Sequence, residues 1–183
     1  MKLLNNPKSL KAKQKFFKYL ALDWKHIERA VQIFKEKINK KSLHFDKMLV
    51  LVRGGMVPAS MLSFLINKRE MDFFQGAKTN SNKPHDYQKF LVKLLPKIEK
   101  GKKYLIVEDI IFEGDTVYNA IQYVKSKQSE VIGACSIVVD EMFLKRYNSK
   151  HQNVSLICAY QCENLKWIRF PWENKIKNEV FLI

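Results

Sequence analysis

What this chain has little of narrows its class before any motif is read. Cysteine occurs three times in 183 residues, as Cys135, Cys158 and Cys162, and never as a Cys-x-x-Cys pair. An odd, sparse count excludes a disulfide scaffold and fits a reducing cytoplasm, with the cysteines as small core hydrophobes. No run of about 18 uncharged apolar residues exists, so no membrane-spanning helix is expected. The opening residues, Met1-Lys2-Leu3-Leu4-Asn5-Asn6-Pro7-Lys8, lack the long apolar segment of a secretory signal. Gly-x-Ser-x-Gly elbow and P-loop patterns are both missing, which removes two common hydrolase classes. The four histidines (His26, His44, His85 and His151) are spread too widely to read as a ligand set. Arginine is scarce as well: Arg29, Arg53, Arg69, Arg146 and Arg169 are the only five among 33 basic residues. Against 18 acids these give a net charge of +15, which permits nucleic-acid or anionic-lipid binding. Scattered lysines nonetheless argue against a sequence-specific reader, which favours the bidentate arginine fork.

What is present suffices for a core. Hydrophobic residues make up 46% of the chain and aromatics 12%, and the length suits one domain. From Asp23, a candidate N-cap, Trp24, Ile27, Val31, Phe34 and Ile38 recur at helical spacing, leaving His26 on the solvent side. The reading therefore sets an N-terminal helical segment over residues 1–45 before an α/β domain over 46–183. Met48-Leu-Val-Leu-Val52 is an uninterrupted apolar run suited to a central parallel strand. A helix follows from Met56 to about residue 66, then a strand over 71–75, a polar loop over 76–86 and a strand over 90–95. Further strands are predicted over 104–107, 131–139 and 154–160, with a helix opening at Thr116. This alternation indicates a mainly parallel sheet.

Three stretches carry chemistry. Tyr104-Leu-Ile-Val107 is an apolar strand ending in two acids, Glu108 and Asp109, followed by Ile110, Ile111, the turn Phe112-Glu113-Gly114-Asp115 and the helix from Thr116. Strand, paired carboxylates, tight turn and helix N-terminus make an anion- and metal-binding crevice at the carboxyl edge of a parallel sheet. Arg53-Gly54-Gly55 stands between another strand and another helix; glycine allows backbone N–H groups to approach an anion, and the arginine can neutralise it. Near the C-terminus lies Trp167-Ile168-Arg169-Phe170-Pro171-Trp172-Glu173, whose aromatics can pack or stack on a base.

The three stretches, in this order, resemble the type I phosphoribosyltransferases, in their xanthine-guanine and hypoxanthine branch. The resemblance spans roughly residues 47–174. It implies a three-layer α/β/α fold with a mainly parallel sheet and a small hood. It also implies transfer of ribose 5-phosphate from phosphoribosyl diphosphate (PRPP) to a purine-type base with magnesium, in a cytoplasmic homodimer or larger homo-oligomer. On that template Glu108 and Asp109 hold the ribose hydroxyls and Mg2+. Arg53, Gly54 and Gly55 face the pyrophosphate. Phe112, Glu113, Gly114, Asp115 and Thr116 form the phosphate turn, and Asp140, Trp167 and Ile168 surround the base. Lys78, Lys83 and Tyr87 are at hand to close over the site.

This chain departs from the family pattern at three places. Phe112 stands where relatives carry the acid that assists proton transfer at the purine. Glu113 and Asp115 bring negative charge to a turn meant for a phosphate. Asp140 stands where oxopurine-specific relatives have a lysine. A second reading follows: a catalytically degenerate member that senses a nucleotide or PRPP, or a basic nucleic-acid-binding regulator.

Overall fold

The computed structural model describes residues 20–77, 91–150, 154–162 and 168–173. A two-residue strand, β1 (Leu20–Ala21), leads into helix α1 (Trp24–Lys40). The Asp23 carboxylate accepts from the His26 N–H at 3.0 Å, and the His26 ring turns back onto the same residue, 2.6 Å from Oδ1. This reciprocal box satisfies N–H groups that a helix start otherwise leaves orphaned. His26 is thus a capping residue rather than a solvated one, and its side chain keeps only 23% of its exposure. Ile27, Val31, Phe34 and Ile38 point inward as their spacing predicts, and Ala30 is buried with them. Trp24 does not: it is half-exposed and lies 6.1 Å from Trp172.

The chain continues through β2 (Lys47–Leu51), α2 (Met56–Ile66), β3 (Met71–Ala77), β4 (Leu91–Leu94) and β5 (Lys103–Ile111). Beyond these lie α3 (Asp115–Ser126), β6 (Glu130–Asp140), α4 (Glu141–Lys150), β7 (Ser155–Cys162) and β8 (Ile168–Arg169), then a 3-10 turn over Pro171–Glu173. Six strands form one sheet in the order β4-β3-β2-β5-β6-β7. Five of them are parallel, and β4 is an antiparallel edge on β3. Helices α1 and α2 cover one face, where Ile27, Phe34, Ala59 and Leu62 meet Met48, Leu105 and Ile137. Helix α3 covers the other with Val117, Ala120, Ile121 and Val124 against Leu49, Ile106 and Ala134, and α4 adds Phe143 and Tyr147. The expected three-layer α/β/α arrangement is therefore present.

Helix α4, the two-residue strands β1 and β8 and the 3-10 turn lie outside the sequence reading. Strand β1 pairs in parallel with β8 as a second small sheet, Leu20 opposite Ile168.

The strand order locates the crevice. From β2 the chain steps outward to β3 and β4, then returns past β2 to build β5, β6 and β7 on its other side. Connections leaving β2 and β5 therefore diverge, and the gap beyond their carboxyl ends is where open α/β sheets take ligands. Val50 stands opposite Val107, so the loop after β2 and the acids of β5 are brought to the same level.

Candidate active site

At the end of β2 the chain turns sharply through residues 52–55, with a cis peptide between Val52 and Arg53. The Gly55 N–H donates to the Leu51 carbonyl at 2.8 Å and closes the turn. A Cβ on Gly55 would run into the carbonyls of Val107 and Leu51, because the loop lies directly on β5. Gly54 meets a side chain instead: a Cβ there would overlap the Asp109 carboxylate. The two glycines thus let the loop settle onto the acid pair. Arg53 is exposed at the rim, and Gly55 begins α2 with no side-chain cap.

On β5, Asp109 is buried and its Oδ1 accepts from the Ile110 N–H at 2.7 Å. Glu108, half-buried, accepts from the Asp109 N–H at 3.0 Å. Burial pushes the Glu108 carboxyl well above its usual range, with the neighbouring Asp109 charge adding to it. Burial also raises Asp109, to about 6, while its hydrogen bonds with Glu108 and the Ile110 N–H oppose the rise and Glu173 reinforces it. Glu173 belongs to the C-terminal block, so that block reaches the electrostatic neighbourhood of the acids.

Both acids hold protons more tightly in the folded chain than in the unfolded one. The stability they contribute is therefore complete below about pH 4; the share of Asp109 is lost as pH rises through about 6, and that of Glu108 as pH rises through its own raised range. Glu108→Gln is accordingly expected to raise the apo-protein Tm relative to wild type at pH 8, with the gain shrinking towards pH 4. Melting curves across that window check this, and a gain that grows on acidification would contradict it.

Glu108 and residues 110–117 line a cleft of about 180 Å³ beyond β5. Its floor is the turn into α3. Gly114 adopts a φ of +83°, a conformation that L side chains rarely take, and no side chain caps the helix there. An uncapped helix start offers backbone N–H groups to an anion. Asp115 in the first turn partly offsets that positive end. Phe112 lines the cleft and packs against the core of the α1 face, which also holds Ile168 and Phe170. It brings a ring, and no proton donor, to the site.

The remaining site residues fall as follows. Ile168 is buried within β8 and the same core. Trp167, together with Lys78, Lys83, His85 and Tyr87, lies outside the described residues. Asp140, at the end of β6, is buried, and its Oδ1 accepts from the N–H groups of Met142 (2.9 Å) and Phe143 (3.1 Å), which makes it the N-cap of α4. Glu173 Oε2 accepts from the Phe170 N–H at 3.0 Å and closes the 3-10 turn, while Trp172 stacks on Phe170 with ring centroids 4.8 Å apart. Sequence reasoning passed over Phe143 and the placement of Glu173. Phe143 and Tyr147, four residues apart after Asp140-Glu141, were the available signal for α4. Burial pushes the Cys135 thiol up, so it is no nucleophile.

Among the described residues no group of three or more His, Cys, Asp or Glu converges as a metal cage. One or two carboxylates beside an uncapped helix start do suit magnesium, an oxygen-preferring ion that keeps much of its water shell.

Comparison with known proteins finds a matching family model, distant relatives and a shared fold. Residues 21–179 match the model of the phosphoribosyl transferase domain. The chain is 26% identical over 148 residues to a xanthine-guanine phosphoribosyltransferase of Vibrio vulnificus (strain YJ016), covering 79% of this chain and 84% of the relative. It is 23% identical over 149 residues to an orotate phosphoribosyltransferase of Sulfurisphaera tokodaii, covering 79% and 71%. The crystal structure of a purine phosphoribosyltransferase from Pyrococcus horikoshii superposes with a TM-score of 0.64 at 22% identity, over 91% of this chain and 98% of that one.

Proposed function

The chain belongs to the phosphoribosyltransferase domain family, and on that premise we propose that it transfers ribose 5-phosphate from PRPP to a purine-type base, releasing pyrophosphate. The observation that carries this reading is the meeting of three parts at one sheet edge. The Gly54–Gly55 loop rests on Asp109, the acid pair lies near the carboxyl end of β5, two residues before it stops, and the Gly114 turn opens α3 from the same strand.

In this reading Glu108 and Asp109, deprotonated, hold the ribose hydroxyls and a magnesium ion. That ion supplies charge neutralisation on the pyrophosphate side. The turn over 112–116 receives the 5-phosphate on its backbone N–H groups, and Arg53 with the following glycines receives the pyrophosphate. The bond from the anomeric carbon to pyrophosphate oxygen breaks as the bond to a base nitrogen forms and the proton of that nitrogen leaves to solvent, with positive charge building on the sugar between them. Two carboxylates beneath that ring stabilise it without having to reorient, so positioning and electrostatics supply most of the acceleration. A base would lie on the Phe112 side of the cleft, bordered by the C-terminal block.

The test is a thermal shift with PRPP and magnesium, followed by turnover across a base panel. A ligand at about 100 times its Kd stabilises by about 2.7 kcal/mol, a rise that a melting curve resolves. Stabilisation together with nucleotide formation from at least one base is the expected result; neither effect would overturn the proposal.

Phe112 favours a second reading, because a ring in place of a proton-transferring acid matters little to a protein that only binds. Stabilisation by PRPP with no turnover on any base would point to a sensor of PRPP or a nucleotide. Of the same pair of outcomes, no response to PRPP but salt-dependent binding of RNA or DNA would favour a basic regulator. Division into residues 1–45 and 46–183, and assembly as a homodimer or larger homo-oligomer, remain parts of the proposal. Sedimentation velocity reads the latter directly.

A further inference from the structure

We propose that helix α4 braces the phosphate turn, with Phe143 as the contact and Asp140 as the residue that seats it; the proposal rests on the reading of that turn as the ribose 5-phosphate pocket. At Gly114 the backbone has positive φ and no side chain, the combination that gives a chain most freedom. What holds it lies across the fold. The Phe143 ring fills the space where a Cβ on Gly114 would stand, with Cδ2 and Cζ both 2.7 Å from that point and Cε2 nearer. Phe143 is itself fixed. It is 9% exposed, its ring centroid lies 5.3 Å from that of Tyr147, and the Tyr147 hydroxyl donates to the Val154 carbonyl at 3.2 Å.

Asp140 completes the chain of support. It ends β6, which runs beside β5 with Val139 opposite Ile111, one residue before the turn begins. Its carboxylate accepts from the N–H of Phe143 itself, so the same bond that starts α4 sets where the ring stands. Strand β6, the Asp140 cap, the Phe143 ring and Gly114 thus form one continuous path to the phosphate turn. A turn held in its binding shape before the ligand arrives avoids the ordering cost that a loose one would meet. On this view both are positioning residues, and Asp140 acts through α4 rather than on the base.

Titration calorimetry on the full chain with magnesium, using ribose 5-phosphate and pyrophosphate separately, tests this. Phe143→Leu is expected to weaken ribose 5-phosphate about tenfold. Pyrophosphate affinity stays unchanged, because the residue 53–55 loop has no part in the brace; it also serves as the control for folding. Asp140→Ala should reproduce the loss, whereas Asp140→Asn should retain ribose 5-phosphate affinity, because an asparagine oxygen caps a helix as well as an aspartate does. In turnover the Phe143→Leu effect should fall on KM for PRPP more than on kcat. Unchanged ribose 5-phosphate affinity in both Phe143→Leu and Asp140→Ala would overturn the brace alone. Equal loss in Asp140→Asn and Asp140→Ala, with altered base preference, would instead assign Asp140 to the base and also overturn it. If the wild type binds neither ligand, the phosphoribosyltransferase reading falls first and the brace with it.

Discussion

Gly54→Ala is expected to reduce turnover by about 10²-fold or more while leaving the fold intact. The added methyl would overlap Oδ1, Cγ and Oδ2 of Asp109 together, so no rotation of the carboxylate about its own axis relieves the clash. Asp109 has little room to retreat, being buried and tied through Oδ1 to the Ile110 N–H at 2.7 Å. Either the loop lifts from β5 or the carboxylate leaves its place, and both open the distance between the pyrophosphate side of the site and the acids. A displacement near 1 Å is enough to cost on the order of 10²-fold when catalysis depends on positioning. The clash is confined to the crevice, so near-wild-type circular dichroism and Tm should accompany the loss in kcat/KM. Wild-type turnover in this variant would show that the contact between loop and acid is not used.

The opposite effect is expected of Phe112→Asp combined with Glu113→Thr. Phe112 lines the cleft next to the phosphate turn and carries nothing able to move a proton. A positioned acid or base is typically worth about 10²–10⁴-fold, so the double variant should gain on the order of 10²-fold in purine turnover. Glu113→Thr matters to the result because a like charge about 4–6 Å from a phosphate costs on the order of 1–3 kcal/mol, depending on solvent access. Half-burial of the new aspartate will hold its pKa up, which suits an acid that must be protonated part of the time. Steady-state rates on oxopurines and aminopurines measure the change. A variant no faster than wild type on any base would mean that the ring is not standing in for a missing acid.

Different parts of the molecule were legible to different degrees, and the physical reasons are local. Strands β2 and β5 could be read because a run such as Met48-Leu-Val-Leu, bounded by glycine or acids, has few alternatives to a strand buried on both faces. Helix α1 could be read from its period, and Asp23 from the chemistry of caps. Trp24 was misread because periodicity gives a direction and not a depth; the residue sits in the first turn, where the core has already ended. Helix α4 was missed because its charged and polar positions blur the apolar spacing of Phe143 and Tyr147. With the helix went the capping bonds of Asp140, since a cap cannot be recognised before the helix it begins. The field of Glu173 at Asp109 is a meeting of residues 64 positions apart, and only the fold brings them together.

The pairing of β1 with β8 bears on how the chain is made. Strand β1 and helix α1 precede β7 and β8 by more than 110 residues, yet pair and pack with them. Leu22 donates to the Arg169 carbonyl at 2.9 Å, Lys37 reaches the Cys158 carbonyl at 2.8 Å, and the Tyr160 hydroxyl donates to the His26 carbonyl at 3.0 Å. Contacts so far apart in sequence form slowly, and a domain synthesised from its N-terminus must wait for them. Until residues 155–169 emerge, the Ile27, Val31 and Phe34 face of α1 lacks its β7 and β8 cover. The apolar face of α1 is thus completed only by residues more than 120 positions further along the chain.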